Sequence, residues 1–405
     1  MNTQLQRRDR FPRSVRSGLL ACGLSLAIAN PAWADAVTDW NATFDAAAPA
    51  FGAPPQRAYL GAMVQIAVHD ALNSIDRRYE TYDVVPTANP NASPDAAIAT
   101  AAHSVLINQL SRAPDSATKI AARANVEAAY TAAMLAIPAG TARNLGIAAG
   151  QAAADAIFAR RANDGSATQN LPYTLAPGPG VYQSTAPNFP VAANAGWALV
   201  TPFAMTSNAQ FLAPPSEIFN LRSAVYARDY NEVKSVGNAV ARAAAPDSEP
   251  SRIARFFPGG GADWTAVTRV IAASRALDRW QHARLFALLE IAEADGAISA
   301  FDTKYTYNFW RPVTAIHWAN DGNPATMSDP AWLPYLVTPP YPDYSCALPT
   351  VAGAATEVLR RYFGTDNVPY SLTVSIPQPP LPPESLTRSY VSLSQASAEA
   401  VDARV

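Results

Sequence analysis

Apolar and polar residues recur along most of this chain with the period of an α-helix. Residues 57–75 give the clearest pattern, since aliphatic side chains return at every turn. Ser93, Pro94 and Asp95 are residue types that favour the first turn of a helix. The other predicted helices are residues 94–112, 116–136, 140–163, 223–246, 263–300 (continuing through "FDTKYTYNFWRP"), 347–363 and 387–405. No segment of the first half alternates with the period of a strand, so the pattern predicts an all-α protein.

Residues 171–222 interrupt this pattern. Their first part, residues 171–215, contains eight prolines and almost no charge pattern, and a connection this long without secondary structure is uncommon inside a domain. Trp197, Phe203 and Phe211 predict that this segment packs on the surface of the helices. The predicted organisation is an N-terminal helical region (35–170), a packed Pro-rich crossover (171–222) and a C-terminal helical region (223–405).

The bulk composition is that of an ordinary globular protein. The chain has 405 residues, which is enough for a large core, and 49% of them are hydrophobic. The formal net charge is only −2, so the sequence has no strongly basic field and predicts no nucleic-acid partner.

Residues 1–34 have the pattern of an export signal. A cluster of arginines from Arg7 to Arg16 precedes an apolar run and a stretch of small residues that ends at Ala34. The apolar run is too short to span a bilayer, and no later segment is apolar enough to do so. We therefore expect cleavage after Ala34 and a periplasmic or extracellular location. Cys346 would then be the single cysteine of the mature chain, which excludes an internal disulfide.

Two cations in the stretch "KYTYNFWRP" are the first candidates for an anion site. Lys304 and Arg311 are seven residues apart, so on a continuous helix both would lie on one face, separated by about 10 Å of rise. Pro312 is expected to end or kink the helix at Arg311. The alternative is a solvated pair of cations whose aliphatic stems cover neighbouring aromatic rings.

The spacing of Lys304, Arg311 and Pro312 resembles the first motif of the vanadium-dependent haloperoxidase and type 2 phosphatidic acid phosphatase superfamily. The similarity to the secreted bacterial haloperoxidase-like branch extends over residues 63–82, 222–237, 307–316, 339–344 and 351–364. The resemblance implies packed helical bundles with an oxyanion pocket between helices. It also implies vanadate as cofactor, and either peroxide-dependent oxidation of halide or hydrolysis of phosphate esters as the chemistry.

The second motif of that family, Pro-Ser-Gly-His, aligns with Ser345, Cys346, Ala347 and Leu348, and all four positions are replaced. In the family this motif supplies a hydroxyl, a backbone amide and an acid–base histidine. Leu348 cannot transfer a proton. A helix that begins near Pro349 can still present backbone N–H groups to an anion, which keeps Cys346 and Ala347 as pocket candidates.

The third motif, Ser-Arg followed by a histidine, resembles the end of "SLSQASAEAVDARV". Ala403 takes the place of the serine, Arg404 is the arginine, and the sequence ends before the histidine that would bind vanadium or become phosphorylated. The resemblance implies that Lys304, Arg311 and Arg404 bind the oxygen atoms of the anion by charge-assisted hydrogen bonds.

Two histidines and the cysteine are the remaining candidates. His69 lies on a polar stripe of an apolar helix, where a structural hydrogen-bonded histidine competes with a role in the pocket. His317 follows Arg311 by six residues and is a candidate for the same site. Cys346 is either an ordinary buried thiol or one made reactive at a helix start. No pair of histidines has the spacing of a zinc site, so we predict no such metal centre.

Three hypotheses follow for the function, and the sequence leaves them open. The chain is the truncated product of a family enzyme, a family member that binds phosphate or vanadate without turnover, or a member that uses Cys346 or His317 for other chemistry. In each case the expected partner is a small oxyanion or a small-molecule substrate.

Overall fold

The structure is a computed structural model that describes residues 35–112, 114–378 and 381–403. The expected export signal, residues 1–34, and the candidate ligand Arg404 lie outside the described residues.

The helices of the first half follow the predicted segments closely. They are α1 (Ala36–Ala47), α2 (Pro54–Ile75), α3 (Pro94–Leu110), α4 (Ala117–Ala136) and α5 (Thr141–Arg161). The predicted start of α3 is confirmed, because the Ser93 side chain accepts a hydrogen bond from the Ala96 amide and Pro94 occupies the first turn. Helix α1 was not among the predicted elements.

The described part of the second half contains several short helices, the long helix α10 and a hairpin. They are α6 (Ala224–Val236), α7 (Ala239–Ala244), α8 (Glu249–Phe256), α9 (Trp264–Ala272), α10 (Arg279–Tyr307), α11 (Pro312–His317), α12 (Ala347–Phe363), β1 (Tyr370–Gln378), β2 (Leu381–Tyr390) and α13 (Leu393–Asp402). With one two-stranded sheet among many helices, the all-α class is confirmed.

Two of the predicted continuous helices are each divided in the structure. The prediction for residues 263–300 is wrong because Asp278 starts a new helix: its carboxylate accepts the Trp280 and Gln281 amides, and the Gln281 side chain accepts the Asp278 amide. The prediction for residues 223–246 is wrong for a similar reason, since Asn238 caps α7.

The predicted helix at residues 387–405 begins too early. Residues 381–390 instead form β2, which pairs antiparallel with β1. The hydroxyls of Thr373 and Thr387 meet across the pair at 2.7 Å on the exposed face, while Leu386 is buried. This alternation of polar and apolar residues belongs to a half-buried hairpin. Ser392 then caps α13, which ends at Asp402.

Helices α2 and α10 are the centre of the core and are buried along most of their length. They approach closely at Gly61, where a Cβ atom would lie 2.1 Å from Oε2 of Glu290. Any larger residue at position 61 would displace the Glu290 carboxylate from this contact.

The crossover packs against the end of this core. Trp197 and Phe203 are buried in it, and the Asp295 carboxylate on α10 accepts the backbone N–H groups of residues 203–205. The expectation is wrong for Phe211, which is 65% exposed. The carboxylate therefore fixes the crossover together with the two buried rings.

Candidate functional site

Lys304 and Arg311 do not share a helix, so the predicted common face is wrong. Asn308 takes a left-handed conformation (φ 52°, ψ 34°) and ends α10. Arg311 is extended (φ −82°, ψ 153°) and precedes α11, whose first residue is Pro312. The proline disfavours the helical conformation at the residue before it and suits the first turn of a helix, which explains both features.

The two cations nevertheless meet at the ring of Tyr341. Nζ of Lys304 lies 5.3 Å from the ring centre, and the guanidinium carbon of Arg311 lies 4.8 Å from it. Lys304 is 1% exposed and Arg311 is 8% exposed. Both charges are therefore held in a desolvated setting where their field on an anion is strong.

The backbone after Tyr341 accepts hydrogen bonds from both side chains. Nε of Arg311 donates to the Tyr341 carbonyl at 2.6 Å, and Nζ of Lys304 donates to the Pro342 carbonyl at 3.1 Å. Nη1 of Arg311 lies 3.7 Å from Oδ1 of Asp343. The Nη2 atom of Arg311 is buried and donates to no group among the described residues.

Hydrogen bonds fix the loop of residues 341–344 in place. The Asp343 amide donates to the Phe309 carbonyl at 2.9 Å, and the Tyr344 amide donates to Oδ1 of Asp343. The Tyr344 hydroxyl donates to the Pro214 carbonyl of the crossover. The loop is thus tied both to the turn between α10 and α11 and to the crossover.

Cys346 and Ala347 lie at the start of α12. Cys346 is the N-cap and accepts the Thr350 hydroxyl at its carbonyl oxygen, and Ala347 is the first helical residue. Burial raises the pKa of the Tyr341 hydroxyl; Arg311 opposes this rise and neighbouring Cys346 adds to it. The structure therefore brings Cys346 close to the ring that Lys304 and Arg311 share.

The candidate histidines have partners elsewhere. Nε2 of His69 lies 3.0 Å from the Glu80 carbonyl, and burial lowers the pKa of its imidazole. Nε2 of His317 lies 2.6 Å from the Trp332 carbonyl. His317 lines a separate cavity of about 600 Å³ between the crossover and α11.

Tyr341 and Asp343 are site residues to which the sequence reasoning gave no role. Both stand in the stretch "PPYPDY" that carried the family resemblance. The only signal for them was their position just before the second motif. Nothing in the local pattern indicates that a ring and two carbonyls there would contact both cations.

A second group of ionisable side chains is buried between α1, α9 and α10. Burial raises the pKa of Glu290 to about 8 and that of Asp45 to about 7, and it raises the pKa of Glu293 well above its ordinary value. Arg269 is the cation that pairs with Asp45, and the Thr265 hydroxyl donates to Glu290 at 2.5 Å. This group affects stability, as discussed below.

Neither a metal centre nor a membrane span is found in the part of the chain that the structure describes. No cluster of three or more His, Cys, Asp or Glu side chains there has a geometry that could hold a metal ion. No helix there combines the length and the hydrophobicity needed to cross a bilayer.

Part of the chain is similar in sequence to vanadium chloroperoxidases. A family described as the VCPO second helical-bundle domain matches residues 284–405. The vanadium chloroperoxidase of Curvularia inaequalis is 34% identical over 101 residues, which are 22% of this chain and 16% of that protein. The match thus spans well under two thirds of the relative's length.

Solved structures resemble the chain over most of its length. A bacterial vanadium-dependent iodoperoxidase superimposes with a TM-score of 0.73 at 23% identity, covering 91% of this chain and 89% of the other. A holo-type bacterial vanadium-dependent chloroperoxidase gives a TM-score of 0.65 at 16% identity, covering 88% and 87%. The resemblance expected from the sequence motifs is confirmed at this level: the chain has the fold of the bacterial vanadium haloperoxidases, and its residues 284–405 match the second helical-bundle domain.

Proposed function

We propose that this chain binds a small oxyanion, phosphate or vanadate, beside Lys304 and Arg311, and that it turns over neither halide nor phosphate esters efficiently. The supporting observation is the buried Nη2 of Arg311, which has no acceptor among the described residues. A buried charged donor without an acceptor is costly. An anion oxygen would satisfy this donor, and the nearby Lys304 would add to the attraction.

The donors present fit vanadate only in part. Nε of Arg311 and Nζ of Lys304 already donate to carbonyl groups of the loop, whereas the buried Nη2 of Arg311 has no acceptor among the described residues and can donate to an added oxygen. Lys304 and Arg311 are the described residues that would hold the anion. Bound vanadate would supply the peroxide chemistry that the family resemblance implies.

The lack of a histidine at the site, among the described residues, supports the second half of the proposal. Leu348, at the position of the family histidine, packs against the hydrophobic core. Each of the four histidines has a polar neighbour elsewhere: the Glu80 carbonyl, the Glu127 side chain, the Asp35 side chain and the Trp332 carbonyl. The loss of an acid–base group costs about 10²–10⁴-fold in rate.

The sequence pattern of residues 1–34 supports a further part of the proposal, that the chain acts after export. A periplasmic or extracellular protein would meet inorganic phosphate and related oxyanions directly.

Arg311→Ala tests the anion site. We expect calorimetric titration with phosphate and with orthovanadate to show binding to the wild type and at least about tenfold weaker binding to the variant, because a charge-assisted hydrogen bond is lost. Lys304→Ala should weaken binding in the same direction. Arg360→Ala is the control, since Arg360 is exposed and pairs with Glu357 on α12.

Equal affinities of the wild type and Arg311→Ala would contradict the anion site, as would a wild type that binds neither anion. The claim about turnover has its own test. Brominating activity of the pure wild type with vanadate and peroxide, lost in Arg311→Ala, would show that the chain is an active haloperoxidase.

Asp343→Asn tests the same site by removing a negative charge, so its effect on anion affinity should be opposite to that of Arg311→Ala. The carboxylate faces Arg311, so it repels an anion that approaches the guanidinium. The amide keeps an oxygen that can accept the Tyr344 amide. We expect about tenfold tighter phosphate binding in this variant. Unchanged or weaker binding would show that the anion does not lie near Asp343.

A further inference from the structure

The crossover runs directly beside the turn that carries Arg311. Residues 180–182 lie antiparallel to residues 308–310: the Tyr182 amide donates to the Asn308 carbonyl at 2.8 Å, and the Trp310 amide donates to the Gly180 carbonyl at 3.0 Å. Backbone hydrogen bonds therefore hold Tyr182 next to the site, although its side chain comes from a distant part of the sequence.

Tyr182 has a buried hydroxyl without a hydrogen-bond partner among the described residues. The residue is 1% exposed, and its Oη bonds to no group in residues 35–112, 114–378 or 381–403. Its ring packs edge-on against Tyr173 with centroids 5.4 Å apart. The Tyr173 hydroxyl is likewise buried and unpaired within the described chain.

Neighbouring tyrosines do not share this property. The Tyr305 hydroxyl donates to the Ala193 carbonyl at 2.5 Å, and the Tyr307 hydroxyl donates to the Ala213 carbonyl at 2.7 Å. Unsatisfied buried hydroxyls are thus particular to Tyr173 and Tyr182 among these four. Nη2 of Arg311 is a third buried donor without a partner among the described residues.

Both hydroxyls are proton donors at neutral pH. Burial raises the pKa of Tyr173 to about 12. Burial also raises the pKa of Tyr182, and the positive charge of Arg311 opposes that rise, which places the two side chains within electrostatic reach. Two neutral O–H donors and one cationic N–H donor suit an anionic acceptor.

We propose that Tyr182, with Tyr173 behind it, completes the oxyanion site of Arg311 by donating hydroxyl hydrogen bonds to the anion. This inference rests on the proposed function and adds ligands from the Pro-rich crossover, outside the sequence motifs. The ligand class is a small oxyanion such as phosphate or vanadate. The crossover then has two roles: it covers the core and it supplies donors to the site.

The inference makes opposite predictions for affinity and for stability. A buried hydroxyl without an acceptor destabilises the free protein, so its removal should not lower the melting temperature. The same removal should weaken anion binding. A hydroxyl with a purely structural role would lower the melting temperature when removed and leave the affinity unchanged.

The experiment compares Tyr182→Phe and Tyr173→Phe with Tyr307→Phe, a matched control whose hydroxyl already has a backbone acceptor. Phosphate and orthovanadate are titrated into each full mature chain, and melting is recorded without anion. We expect Tyr182→Phe to bind about tenfold more weakly and to melt at or above the wild-type temperature. Tyr307→Phe should bind like the wild type and melt lower.

The outcomes separate this inference from the function on which it rests. Wild-type affinity in both Tyr182→Phe and Tyr173→Phe, with binding lost in Arg311→Ala, would overturn the inference and leave the anion site intact. A wild type that binds neither anion would overturn the proposed function itself. In the wild type, anion binding should also change the near-ultraviolet absorption of tyrosine, and this change should shrink in Tyr182→Phe.

Discussion

Replacement of Asp295 by alanine is expected to lower the free energy of unfolding by about 3 kcal/mol, because hydrogen bonds to a buried charge are lost together. Asp295 is 5% exposed on α10. Its carboxylate accepts the amides of Phe203 at 2.6 Å, Ala204 at 2.8 Å and Met205 at 2.8 Å. Without it, these N–H groups have no acceptor where the crossover meets the core.

Denaturation by urea or guanidinium, followed by circular dichroism, measures the effect. Asp302→Ala is the matched control, since Asp302 lies on the same helix and its buried Oδ2 accepts no hydrogen bond from described residues. We expect Asp295→Ala also to weaken phosphate binding, because the crossover carries Tyr182. Equal midpoints for Asp295→Ala and the wild type would show that the two buried rings hold the crossover by themselves.

The second large effect concerns pH: the chain should be more stable at pH 5 than at pH 8. Glu290 has a pKa of about 8 in the fold, caused mainly by burial, against an ordinary value of 4.5. Between these values the folded state keeps the proton and the unfolded state loses it. The unfolded state then binds fewer protons, so stability falls as pH rises through this window. Glu293 and Asp45 act in the same direction.

Glu290→Gln isolates this contribution. Glutamine keeps the shape and an acceptor for the Thr265 hydroxyl but cannot ionise. We expect the variant to be more stable than the wild type by about 4 kcal/mol at pH 8 and by less than about 1 kcal/mol at pH 5. The measurement is the free energy of unfolding at both pH values. Glu232→Gln, at an exposed position of α6, should change neither value.

A wild type that is as stable at pH 8 as at pH 5 would contradict the expected protonation of the buried carboxyl groups. An equal gain for Glu290→Gln at both pH values would assign the effect to packing instead of ionisation.

Local patterns predicted most of the helical architecture. Helices α2 to α5 and α12 follow the apolar periodicity, and the start of α3 at Ser93 and Pro94 follows from capping. These features depend on residues within one turn of each other. The start of α10 at Asp278 also has a local cause, which is the capping box that Asp278 forms with Gln281. The two residues are visible in the sequence, but the apolar pattern on both sides of them predicted one continuous helix.

Other features depend on contacts between distant segments. The hairpin of β1 and β2 forms because the two strands pair with each other and cover part of the core. A short stretch of sequence does not contain these contacts. At the site, the sequence identified Lys304, Arg311 and the segment around Cys346 as candidates. Only the fold placed the Tyr341 ring against both cations and the Asp343 carboxylate beside Arg311.

The sequence by itself determined the helical class, the family resemblance and the identity of the two buried cations. The tertiary structure alone decided which groups face them: two loop carbonyls, the Asp343 carboxylate and the Tyr341 ring. The physical reason is that a charge or a hydroxyl gains its chemical role from the atoms within hydrogen-bond reach. For Arg311 those atoms belong to Tyr341 and Asp343, which follow it by about thirty residues, and only the fold brings them together.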